Sequence, residues 1–230
     1  MQIAGVENRL LLICYGLAAS LVVYYGLLWR QSIVETLWWF HLGVCIGIPS
    51  VHRLLETRQN EHQRMMPRTA SPRQAEALFV GLVSGVPLFA ASLAGISLIF
   101  ASGVDPAHIR ATLGRWGLAP EWVGLFGLYL IVVNSFLEEF LWRGFLLKRL
   151  TTWGRRQAIL LNSLFFALYH LLIAAALFGQ QWGWPIAGAV FLAGVFWSLL
   201  KLEYGKLYVP WLSHLTTDIA LTVALVNWIY

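Results

Sequence analysis

The chain has 230 residues, of which 59% are hydrophobic and only 12% charged, with a formal net charge of +5. Its mass is 25.9 kDa and its mean hydropathy +0.68. Soluble domains carry about a quarter charged residues, so this chain has too little polar surface for a water-soluble globule and far too much apolar surface for disorder. It reads as an all-α polytopic membrane protein. The two cysteines, Cys14 and Cys45, both fall in apolar runs and form neither a metal-ligand spacing nor a disulfide framework.

Seven apolar segments approach the roughly 20 residues that a helix needs to cross a bilayer. The first, Leu10–Trp29, begins close to the N-terminus and lacks a small-residue cleavage site, so it reads as a retained helix rather than a signal peptide. Ile33–Val51 follows, then a charged stretch from about His52 to Glu76 with Pro67 and Pro72, expected to be a solvated and partly disordered loop. Ala77–Ala101 is the third span, and Asp105–Pro120 is expected to lie along an interface. Trp122–Leu147 is long, Ala158–Phe178 ordinary, Pro185–Leu200 short, and Leu207–Trp228 closes the set. The division expected is an N-terminal region, 1–118, holding spans one to three, and a C-terminal core, 119–230. Gly43/Gly47 and Gly81/Gly85 form GxxxG pairs that allow close helix contact. Trp29, Trp38, Trp39, Trp116, Trp122, Trp153, Trp182, Trp184 and Trp228 sit near span ends, as interfacial anchors do. No strand alternation persists, which argues against a β-barrel, and no internal repeat supports an inverted-repeat transporter.

Alternating the seven spans puts twelve Lys and Arg on one side and three on the other, with Arg143 left inside a span. The positive-inside rule then places the N-terminus in the cytoplasm and the C-terminus outside. The basic charge is thus a topology signal of a multi-pass cell-membrane protein, not a nucleic-acid footprint.

Ionisable groups inside spans are costly and mark function by default. Spans four to seven contain Glu138, Glu139, Arg143, His170, His214 and Asp218. Apart from Glu35 and His41 near one end of span two, spans one to three have essentially none, so the chemistry is expected in the second half of the chain. Glu139 and Arg143 are four apart and share a helix face, which allows an ion pair. Glu138 is rotated about 100° away and is left free, with Asn134 one turn earlier on its own face. His214 and Asp218 are again four apart. Counting about 1.5 Å per residue from the basic end puts Glu138 about 15 Å, His170 about 21 Å, His214 about 12 Å and Asp218 about 18 Å deep, a common layer. Carboxylates and imidazoles gathered in low dielectric can hold a water and move its protons.

Glu138-Glu139-Phe-Leu-Trp-Arg143, Phe166-Ala-Leu-Tyr-His170 and His214-Leu-Thr-Thr-Asp218 resemble the EExxxR, FxxxH and HxxxN motifs of the CPBP group, the CAAX proteases and bacteriocin-processing, Abi-like enzymes. The third motif carries Asp in place of Asn. The resemblance covers about Trp122 to Ala224. It implies an intramembrane endopeptidase cleaving near the membrane surface, with a membrane-associated protein or peptide as substrate. Carried across, Glu138 is the general base, His170 assists in water activation, His214 donates to the tetrahedral oxygen, and Glu139 and Arg143 support the site. An ionised Asp218 would repel an oxyanion where Asn donates to it, so Asp218 is either protonated or orients His214 or a metal.

Catalytic zinc commonly takes two His and a carboxylate, which His170, His214 and Asp218 or Glu138 would supply. The chain has no HExxH, and the free Glu138 already provides a base, so the expectation is that no cofactor is required, with zinc as the alternative. The rival to proteolysis is a non-proteolytic membrane scaffold or immunity protein; a proton-coupled transporter ranks third, because the outer halves of spans four to seven are apolar.

Overall fold

The computed structural model describes residues 9–59 and 74–230. Seven of its helices are long and apolar enough to cross a membrane. They are α1 (Arg9–Trp29), α2 (Ile33–Glu56), α3 (Gln74–Ala101), α5 (Pro120–Trp153), α6 (Arg155–Phe178), α7 (Gln180–Tyr204) and α8 (Tyr208–Ile229). Between α3 and α5 lies a shorter helix, α4 (Pro106–Arg115), capped by the Asp105 side chain accepting from the Ala107 amide. The protein is an all-α, multi-pass membrane protein. Its residue distribution is inverted relative to a soluble fold. Leu21, Val34, Leu98, Trp184 and Leu192 are exposed, whereas Glu138, Glu139, Arg143, His214 and Asp218 are buried.

The expected spans all appear, with three differences. The sixth span starts at Gln180 rather than Pro185 and is 25 residues long. Pro185 falls in its second turn, where the missing N–H removes a single helix bond without ending the helix. The helix of the second span continues beyond Val51 to Gln59, and His52, expected in a solvated loop, is only 2% exposed, with Nε2 3.1 Å from Glu56. The rest of that expected loop, 60–73 with its two prolines, lies outside the described residues. Trp116 is buried instead of anchoring an interface, and its carbonyl accepts from the Ile33 amide, tying α4 to the start of α2.

Connections around the second half are minimal. Gly154 alone separates α5 from α6, and Gly179 alone separates α6 from α7, with φ of 107° and 87°. A side chain would be strained at either position. These one-residue links make neighbouring helices antiparallel, and α6 and α7 pack along much of their lengths. The other extensive pairing is α3 against α8. There the Gly81/Gly85 pair permits close approach: a Cβ on Gly81 would meet the Val209 carbonyl at 3.0 Å, and one on Gly85 would collide with Thr216. The Gly43/Gly47 pair has no such role, because the atoms nearest to both belong to their own helix.

The basic residues gather at one end of the bundle. Arg9 lies over Trp153, Arg53 over Phe140, and Arg149 pairs with Glu56 at 2.7 Å. At the opposite end Arg30 pairs with Glu35, and Arg110 stacks on Tyr230 while donating to the Ile229 carbonyl.

The α3–α8 contact yields a direct test. Gly85→Ala is expected to destabilise the protein by about 1–3 kcal/mol, because Thr216 must be displaced from a packed interface. Gly95→Ala, where an added Cβ meets nothing within 4 Å, is expected to be neutral or slightly stabilising. Thermal unfolding of both in detergent checks the difference.

Candidate active site

The helix that carries the first motif is not a uniform α-helix. Within α5, π-helical turns at Leu130–Asn134 and Phe140–Leu146 flank the α-helical stretch Ser135–Glu139. Such widened turns occur often at functional sites, because one extra residue re-aims the side chains beyond it. Here they bracket Glu138 and Glu139.

Glu139 is the hub of the buried cluster. Its Oε1 accepts from Arg143 Nη1 at 2.8 Å and pairs with His214 Nδ1 at 3.0 Å. Both Glu139 and Arg143 are fully buried. Since a carboxylate already taking the Arg143 proton acts as acceptor, the Nδ1 of His214 carries its own proton toward Glu139. That leaves Nε2 facing Glu138 Oε2 and Asp218 Oδ1, each 3.7 Å away. The ring itself is held against Trp197, stacked at 4.1 Å between centroids and 20° between planes. Trp197 is in turn fixed by its Nε1 donating to Ser213 at 3.1 Å.

Arg143 spends its remaining reach on other helices. Nη2 donates to the Gly194 carbonyl at 3.3 Å, and the guanidinium lies over Phe166 at 4.6 Å and Trp197 at 5.3 Å. A buried cation over aromatic faces is stabilised by the ring quadrupoles. One side chain of α5 therefore contacts α6, α7 and, through Glu139, α8.

Glu138 has a separate set of neighbours. Its Oε1 accepts from Asn134 Nδ2 at 3.1 Å, the one-turn relation expected from the sequence. Its Oε2 has no hydrogen-bond partner in the protein, nor has Asp218 Oδ2. Tyr169 is close enough to couple electrostatically to Glu138 but makes no hydrogen bond of ordinary geometry with it. Glu138 and His214 are each 3% exposed and Asp218 7%. Three carboxyl groups there face one guanidinium and one imidazole.

His170 stands one ring away. Its Nδ1 donates to the Phe166 carbonyl at 2.8 Å, which leaves Nε2 as the proton-accepting nitrogen. Phe166 packs between the two imidazoles, 4.6 Å from His170 and 5.9 Å from His214. The sequence shows Phe166 only as the residue one turn before His170; its position between both histidines and under Arg143 has no signal in spacing. Among the described residues no group of three or more His, Cys, Asp or Glu is placed to hold a metal ion.

The polar network extends beyond the second half of the chain, because His41 of α2 is 2% exposed and joins Asn134 through Nε2 at 3.0 Å. A surface groove of about 340 Å³ between α6 and α7, lined by Arg155, Arg156, Ile159, Leu160, Val195 and Leu199, involves none of these residues.

Residues 120–220 match the family model described as Rce1-like, type II CAAX prenyl endopeptidase Rce1-like. That segment runs from the start of α5 through the third motif. No curated protein and no solved structure matches the chain.

The Glu139–Arg143 pair gives this site its own stability test. Arg143→Met leaves a fully buried carboxylate short of a cation and is expected to cost about 3–5 kcal/mol. The double variant Glu139→Gln/Arg143→Met is expected to lose less than the sum of the single changes. Unfolding of the four proteins in detergent closes the cycle.

Proposed function

We propose that this protein is an intramembrane endopeptidase that hydrolyses a peptide bond near the basic end of the bundle, acting on a membrane-associated protein or peptide. What supports this reading is the buried meeting of Glu138 and Glu139 from α5 with His214 and Asp218 from α8, inside the segment that matches the family model.

Glu138 is the general base. Asn134 holds one carboxylate oxygen, and the other accepts no hydrogen bond from the protein, so it is the oxygen that takes a proton from water. The water oxygen bonds to the scissile carbonyl carbon, and its proton moves to Glu138. The same proton passes to the leaving amine nitrogen as the C–N bond breaks. His214, its Nδ1–H anchored on Glu139, donates from a protonated Nε2 to the tetrahedral oxygen. Glu139 thereby does for His214 what the carboxylate of a serine-protease triad does for its histidine, setting the tautomer and ring plane. Asp218 faces the working Nε2 rather than orienting the ring from behind. His170 assists in moving protons at the reacting water. Water activation by Glu138 in this scheme needs no metal.

The N-terminus faces the cytoplasm. The excess of Lys and Arg at one end supports this orientation, with Arg9, Arg53 and Arg149 together there. Fusions of a reporter active only in the cytoplasm are expected to signal at the N-terminus and stay silent after Tyr230.

Glu138→Gln keeps the shape and the Asn134 contact while removing the base, and is expected to lower cleavage at least 100-fold. The check is a survey of new peptide termini in membranes carrying wild-type or Glu138→Gln protein at matched levels. Termini present only with the wild type name substrate and bond together. Identical surveys with a phenotype intact in the variant would instead favour a scaffold. Metal analysis of the purified protein is expected to find less than stoichiometric zinc; stoichiometric zinc bound by both wild type and Glu138→Gln overturns the metal-independent scheme.

A further inference from the structure

The geometry points to His41, in the part of the chain outside the family match, as a positioning residue for Glu138. The inference rests on the reading of Glu138 as general base. His41 of α2 is 2% exposed, and both ring nitrogens have partners: Nδ1 meets the Tyr129 hydroxyl at 2.6 Å and Nε2 meets Asn134 Oδ1 at 3.0 Å.

Hydrogen-bond chemistry assigns every proton along this line. Asn134 Oδ1 can only accept, so His41 Nε2 carries the hydrogen. Nδ1 of the neutral ring then accepts from Tyr129. With its oxygen held by His41, the Asn134 amide must present its NH₂ in the other direction, where it donates to Glu138 Oε1 at 3.1 Å. A free asparagine could turn either end toward the carboxylate, and the oxygen end would repel it. His41 therefore holds Asn134 in the orientation whose NH₂ meets Glu138 Oε1, leaving Oε2 for water.

The arrangement is held by packing as well as by these bonds. The His41 ring lies 5.2 Å from Phe40 and 5.5 Å from Tyr129. Phe40 in turn packs 5.3 Å from Tyr169, the aromatic residue beside Glu138. A π-helical turn, Trp38–Gly47, carries His41, and another, Leu130–Asn134, carries Asn134. Each of the two residues thus sits where a widened turn sets its direction.

The test uses the full-length protein in lipid nanodiscs and reads Glu138 directly. Its carboxyl band in infrared spectra is identified as the one lost in Glu138→Gln. His41→Leu is expected to shift that band by the same amount as Asn134→Leu, with no further shift in the double variant. His41→Gln, whose amide N–H still reaches Asn134, is expected to restore the wild-type band. In the reciprocal arm, Glu138→Gln is expected to shift the ¹⁵N resonances of His41, a measurement that needs no change at His41 and so survives a His41→Leu variant that fails to fold. A band unmoved in folded His41→Leu, or His41 resonances unmoved in Glu138→Gln, overturns the inference. In the terminal-peptide survey, cleavage by His41→Leu is expected to fall roughly ten- to hundredfold, with His41→Gln near wild type. Should Glu138→Gln leave cleavage intact, the catalytic reading fails while the spectroscopic link stands or falls by itself.

Discussion

A single oxygen, Glu139 Oε1, receives both the Arg143 guanidinium and the His214 imidazole in a setting with no exposed surface. Removing Arg143 leaves a carboxylate buried without its cation, and in low dielectric that costs far more than the intact pair contributes. The interaction therefore acts as a constraint more than as a source of stability. It fixes the rotation of α8 against α5, and with it the direction of His214 Nε2. Because Arg143 also reaches the Gly194 carbonyl and the faces of Phe166 and Trp197, the same constraint sets α6 and α7. The four helices of the segment that matches the family model are registered against one another by a single guanidinium.

Such a centre is affordable only because the rest of the bundle is simple. Between lipid-facing side chains there is little hydrophobic force to choose one helix arrangement over another, so close packing and buried polar contacts must do so. Gly85 against Thr216, Gly127 against Thr222 and Gly194 against Ser163 bring backbones close. The one-residue links at Gly154 and Gly179 leave α5, α6 and α7 little freedom to be arranged otherwise. The π-helical turns of α5 then aim Asn134, Glu138, Glu139 and Arg143 into the space that the packed helices enclose.

The N-terminal helices are more than a frame. Phe40 touches Tyr169, His41 touches Tyr129 and Asn134, and Gly16 allows Phe165 to approach α1. The match to a known family begins only at residue 120, yet part of the polar network it encloses is completed from α2. A stretch of sequence can carry all the recognisable motifs and still share its buried polar network with unmatched neighbours.

Residue order by itself determined the membrane character, the seven spans, and the pairs that lie one helical turn apart. Glu139 with Arg143, and Asn134 with Glu138, are legible because an i, i+4 relation is local and survives whatever the helix packs against. The depth count put Glu138, His170, His214 and Asp218 in one layer, since rise per residue is nearly constant; Glu138, His214 and Asp218 meet directly, with His170 one ring away. Only the tertiary structure decided which of these groups face one another. His214 turns its protonated nitrogen to Glu139 rather than to Asp218 four residues along its own helix. His170 is separated from it by Phe166, and His41 arrives from a helix whose sequence gave it no partner. The physical reason is rotational: spacing along a helix sets which side chains share a face, but the direction of that face is chosen by the close contacts and buried charges of the assembled bundle.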